Sequence, residues 1–96
     1  MDLQSAVSRK YAGQVFDMDQ VLTDLLKGMQ FSMLLGASIS WVEVTAVMNA
    51  GFRGQIVHVK HTMYSERGAV RYAELPVANL PQGVVTCAIN KLGKIF

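Results

Sequence analysis

The chain is short of the features that announce secretion, membranes or a nucleotide cofactor. It has one cysteine, Cys87, so no internal disulfide can form, and a reducing cytoplasm is the expected setting. Its densest apolar region, from Phe31 to Val44, is broken by Ser32, Gly36, Ser38, Ser40 and Glu43, well short of the ~20 apolar residues that span a bilayer. The opening stretch MDLQSAVSRKYAGQ lacks a basic segment followed by an apolar run and a small-residue cleavage site, so a secretory leader is not expected. The glycines form neither G-x-G-x-x-G nor G-K-[ST], which removes the usual phosphate cradles and leaves no cofactor to expect. There are no internal repeats and no low-complexity linker.

What is present suits one small domain. Apolar residues make up 51% of 96, ample for a core, although a chain this short buries only a fraction of its apolar surface unless a partner covers the rest. The net charge of +2 is unevenly spread. Residues 1–50 carry three cations against five carboxylates, whereas residues 51–96 carry Arg53, Lys60, Arg67, Arg71, Lys91 and Lys94 against Glu66 and Glu74. The second half is the one suited to a polyanion, unless the charges are simply a solvated scatter.

Helical spacing dominates the first half. Leu3, Ala6 and Val7 share one face of a short helix over residues 2–11, which Gly13 ends. A second helix starts at Asp17, whose carboxylate can cap free amides with Gln20 placed to reciprocate. Met18, Val21, Leu22, Leu25, Leu26, Met29 and Met33 then recur at three and four, a stripe running to the region before Gly36. Ser40-Trp41-Val42-Glu43 has the S-x-x-E form of a capping box, with Ile39 and Val44 placed as a hydrophobic staple. A third helix follows, with Trp41, Val44, Val47 and Met48 facing inwards and Gly51-Phe52 as its left-handed C-cap.

After the turn at Arg53-Gly54, AVRYAELPV reads as a strand, ANLPQG as a turn and VVTCAI as the return strand, a hairpin over 69–89 in which Cys87 is a small buried thiol. The expected fold is one α+β domain, 1–96: N-terminal helices (within 1–54), then a C-terminal antiparallel β-hairpin or three-stranded meander (68–89) and a tail (90–96). The segment in between admits two periods. As a helix, 55–67 puts Ile56, Val59 and Met63 on one face with His58, Lys60 and His61 turned away. As a strand, 55–64 pairs with 69–75, and the β-branched Ile56, Val57, Val59 and Thr62 favour it.

Taken as a helix, that segment gives the order helix, helix, tight turn, helix, hairpin. On the capped stretch SWVEVTAVMNAGF, the turn Arg53-Gly54 and the segment QIVHVKHTMYSERGAVRY, residues 17–89 resemble the winged helix-turn-helix family. The resemblance implies DNA as partner, with the helix after the turn in the major groove and the hairpin on the backbone or minor groove. Gln55, His58, Lys60 and His61 would then face bases, and Arg53, Arg67 and Arg71 would meet phosphates. With the charge asymmetry, the resemblance makes the expected function a non-enzymatic cytoplasmic transcriptional regulator of a mobile element or phage acting by site occupancy. The apolar face of the Asp17 helix, continued through Phe31, Leu34 and Leu35, makes a homodimer the expected way to bury the surplus.

The alternative is a non-enzymatic oligomeric interaction protein, an inhibitor or adaptor, with helices packed on an antiparallel sheet and a larger protein as partner. A metal is not expected. His58 and His61 stand three apart, but Cys87, Glu66 and Glu74 lie at no diagnostic ligand spacing. No activating base accompanies Cys87 in sequence, so no catalytic residue is expected.

Overall fold

The computed structural model describes residues 2–62 and 70–95. Along the chain run α1 (Leu3–Lys10), α2 (Met18–Leu26), β1 (Gln30–Leu35), β2 (Ser38–Asn49), β3 (Gln55–His61), β4 (Tyr72–Pro76) and α3 (Gln82–Gly93). The strands form one antiparallel meander in the order β1-β2-β3-β4. The class is α+β, but the expected order is corrected: a four-stranded sheet occupies the middle of the chain and a helix, not a hairpin, closes it.

All three helices cover one face of the sheet. Leu3 and Val7 of α1, Leu22, Leu25 and Leu26 of α2, and Val84, Ala88 and Leu92 of α3 join one buried cluster with Val42, Val44, Val57 and Val59 of the central strands. Apolar area removed from water at about 25 cal/mol per Å² makes this layer the main source of stability.

Both N-terminal helices begin at aspartates. Asp2 accepts a hydrogen bond from the Ser5 backbone N–H at 2.7 Å, and this bond, with one from the Ser5 side chain, holds its carboxyl below the usual carboxylate range. Asp17 accepts from Gln20 N–H at 3.3 Å, while the Gln20 side chain turns to Asp24 at 2.8 Å, so only half of the anticipated reciprocal cap forms. α2 stops at Leu26, not before Gly36. Met29 and Met33, which continue its stripe in sequence, belong to the sheet side of the turn at Gly28, where φ is 87°.

The supposed third helix is β2. Gly36 (φ 61°) and Ala37 join β1 to β2 through a two-residue turn with positive φ at its first position only, the type II′ geometry that matches strand twist. The S-x-x-E residues Ser40 to Glu43 therefore lie in an extended strand paired with β1. A β-bulge explains the misleading spacing. Val44 pairs with Val59 and Ala46 with His58, leaving Thr45 as the extra residue, so Val47 regains the helix-covered side next to Val57 although it follows Val44 by three. Trp41 and Met48, by contrast, stand on the other face. Thr45 Oγ1 donates to the His58 carbonyl at 3.1 Å.

β2 outruns β1, and α2 satisfies the stretch left over. The Val47 N–H donates to Thr23 Oγ1 at 2.9 Å, Thr23 Oγ1 donates to the Val47 carbonyl at 3.2 Å, and the Asn49 N–H donates to Asp19 Oδ2 at 2.9 Å. The turn expected at Asn49 to Arg53 is present but starts after Asn49, the last residue of β2, and links two strands rather than ending a helix: Gly51 has φ 68° and the Ala50 N–H donates to the Gly54 carbonyl at 2.8 Å.

Residues 55–61 are the strand β3, and its propensity for extension prevails over the helical alternative. The expected return strand VVTCAI is corrected to helix, because Val84, Ala88 and Leu92 recur at intervals of four and are all buried. Cys87 consequently projects into solvent instead of being buried. The expected tail is largely the last turn of α3, with Leu92 in the core. β4 forms the far rim of the sheet and ends at Pro76, which has no N–H.

Candidate functional site

Among the described residues no helix covers the face of the sheet away from α1, α2 and α3, and although Ile56 on this face is buried, several large apolar side chains stand exposed on it. Leu34 and Ile39 stand opposite each other on β1 and β2, Trp41 and Met48 follow along β2, and Tyr72 stands on β4. All five are exposed, from 48% for Trp41 to 76% for Ile39. Leu34, Ile39 and Trp41 are neighbours in the β1–β2 ladder, whereas Met48 lies beyond Glu43 on β2 and Tyr72 beside Lys60. Isolated exposed hydrophobics are ordinary, but several large ones on one face mark an interaction surface.

A polar line crosses the middle of this face. The Trp41 indole N–H donates to Gln30 Oε1 at 2.8 Å, the Gln30 amide donates to Glu43 Oε1 at 2.9 Å, and Lys60 Nζ lies 3.7 Å from Glu43 Oε2. The chain of contacts runs over β1, β2 and β3 and turns the indole N–H of Trp41 towards Gln30. Nearer the β2–β3 turn, the Arg53 guanidinium meets Glu74 Oε1 at 2.9 Å.

These pairs bear on the residues anticipated to face DNA. Strand alternation divides them: His58 and Lys60 project from the open face, whereas Gln55 and His61 lie on the helix-covered side, His61 opposite Val42. A single helical face carrying all four does not exist, because residues 55–61 are extended. Arg53 and Lys60 each stand against a carboxylate. Arg71 is exposed just before β4 and accepts through its carbonyl from the His61 N–H at 2.8 Å. Arg67 lies outside the described residues.

Sequence reasoning misses the open-face set. Leu34 and Trp41 fit helical faces in sequence, and Ile39 fits the staple of a cap. The one usable signal is the turn Gly36-Ala37 between two stretches with alternating apolar residues.

A groove of ≈ 620 Å³ lies beside the outer edge of β1. Phe31, Ser32 and Trp41 form its sheet wall, and Pro81, Val84 and Cys87 its helix wall. None of its lining residues is charged, so it suits apolar side chains rather than an ionic ligand. Among the described residues no group of three or more His, Cys, Asp and Glu could hold a metal, and no helix is long and apolar enough to cross a membrane. No family model matches the sequence, and neither the curated proteins nor the solved structures yield a match.

Proposed function

We propose that this protein is a non-enzymatic interaction protein, an inhibitor or adaptor, that docks the open face of its sheet on the apolar surface of a larger protein. The observation that carries this reading is the set Leu34, Ile39, Trp41, Met48 and Tyr72, all exposed on the one face of the sheet that no described helix covers. An indole hydrogen-bonded to Gln30 and flanked by Ile39 and Leu34 has the make-up of an interface anchor. Glu43 and Lys60 cross the middle of the face and Arg53 and Glu74 lie nearer the β2–β3 turn, supplying polar groups of both signs among the apolar ones.

The test is affinity capture with the wild type and with an Ile39→Lys, Tyr72→Lys double variant whose fold is verified by circular dichroism. A partner held by the wild type, lost by the variant and footprinted on β1 and β2 supports the reading. Equal retention by both proteins counts against it.

A second reading, a DNA-binding regulator acting as a homodimer, is supported by the six cations against two carboxylates in residues 51–96. It requires retention of nucleic acid that weakens steeply between ~50 and ~200 mM salt, as phosphate contacts release counterions. Substituting Lys60 and Arg71 with Glu in a folded protein would abolish that retention.

A further inference from the structure

One rim of the sheet has the chemistry to take another strand. Just before β1 the Val44 N–H donates to the Met29 carbonyl at 2.9 Å, and the two-residue turn closes on the pair Leu35 and Ser38. Both observations set the same phase. Phe31, Met33 and Leu35 exchange backbone bonds with β2, and Gln30, Ser32 and Leu34 direct their N–H and C=O groups away from the sheet. The strand QFSMLL has no charge and no proline, the two devices that most often protect an edge. β4, at the opposite rim, is five residues long and ends at Pro76.

The two ends of β1 complement each other. At its start lies the groove beside Phe31 and Ser32, with Trp41 on the open side and Val84 and Cys87 of α3 on the other. At its finish is Leu34, 68% exposed, followed by Leu35.

We propose that the occupant of this edge is a second copy of the chain, its β1 antiparallel to the first about a twofold axis at Met33, joining two four-stranded sheets into one of eight strands. Backbone polarity restricts the register, since outward-facing residues must meet outward-facing ones. About this axis Ser32 opposes Leu34 of the second copy, and Met33 opposes its own equivalent. Ser32 is also the ladder partner of Trp41, so the leucine arrives over a small side chain and against the indole. On the helix side Leu35 of the second copy stands opposite Phe31, at the wall formed by Val84 and Cys87. Symmetry repeats both contacts. Moving the strand by two residues either way sets Leu34 opposite Gln30 or opposite itself and leaves the hollow beside Trp41 unfilled. No charged residue enters the seam, so like charges never meet there. Leu34 and Trp41 belong to both the seam and the open face, so Leu34→Lys acts on both associations, and the molar mass of the chain alone reports the seam.

Molar mass across a concentration series, with amide exchange at the edge, tests it. The wild type is expected to be a dimer whose Ser32 and Leu34 amides exchange slowly and lose that protection on dilution. Ser32→Pro removes an outward N–H while leaving the β1–β2 ladder alone, and Leu34→Lys puts a charge against the indole. Each is expected to halve the molar mass with the circular dichroism of the fold retained. Should Ser32→Pro fail to fold, Leu34→Lys decides. Tyr72→Lys, at the far rim, should leave the dimer intact. Four results would overturn the proposal: a wild type monomeric throughout the series, a dimer with Ser32 and Leu34 amides unprotected, a dimer broken by Tyr72→Lys but not by the edge variants, or monomers that bind a synthetic apolar peptide along β1 without self-association.

Discussion

Thr23 shows how much one side chain can settle. Its hydroxyl both accepts from the Val47 N–H and donates to the Val47 carbonyl, standing in for a neighbouring strand where β1 has ended. Thr23→Val keeps the shape and leaves both backbone groups without their partner, and the expected loss is about 1–3 kcal/mol in denaturant unfolding. Thr23→Ser should recover most of it. Leu22, fully buried between α2 and the sheet, tests packing instead. Leu22→Ala is expected to cost about 2–5 kcal/mol, the range for a large core side chain cut back to a methyl. Leu22 is legible in sequence as an apolar position of the α2 stripe, whereas Thr23 carries no such signal. Nor is its partner legible, because Thr23 and Val47 are 24 positions apart and no local pattern links them.

Among the elements, those with local signals are the most legible. α1 follows from Leu3, Ala6 and Val7 on one face, and the start of α2 from the aspartate that caps it. The end of α2 does not, because Met29 and Met33 happen to prolong its stripe. β2 is hidden by its bulge: an extra residue at Thr45 turns an alternating pattern into intervals of two and three, which imitate a helical repeat. Deleting Thr45 should therefore be tolerated. Val42, Val44 and Val47 would then follow at regular intervals of two, and the cost should be about 1 kcal/mol for the lost bond to His58, read from the unfolding midpoint.

α3 imitates a strand in sequence because Val84, Val85 and Thr86 are β-branched, while the deciding spacing of Val84, Ala88 and Leu92 extends beyond that run. α1 also carries a pH dependence. The Asp2 carboxyl is held below its ordinary value by its bonds from Ser5, so its support for the helix is present above the unfolded-chain pKa and is lost as pH falls through the lower folded value. The Ser5 amide resonance should follow that titration, and Asp2→Asn should flatten it.

For the whole molecule, the sheet divides the chain into a sealed side and an open one, and the sequence conceals this division because segments of β1 and β2 imitate helices. Surface exposure at Ile39 and Tyr72 predicts that substituting both with lysine changes unfolding stability by no more than about 0.5 kcal/mol per site, measured by thermal melting, while association through the open face falls away. The candidate DNA residues are individually visible in sequence, yet the alternation of β3 sends them to opposite sides, a fact that depends wholly on the period adopted by residues 55–61. Pro76 has one more consequence, for stoichiometry. A rim that finishes in a residue without an N–H is a poor template for a further molecule, so growth by strand addition ends once the two receptive rims have met. The proposed pairing would therefore stop at two chains instead of extending into a fibril.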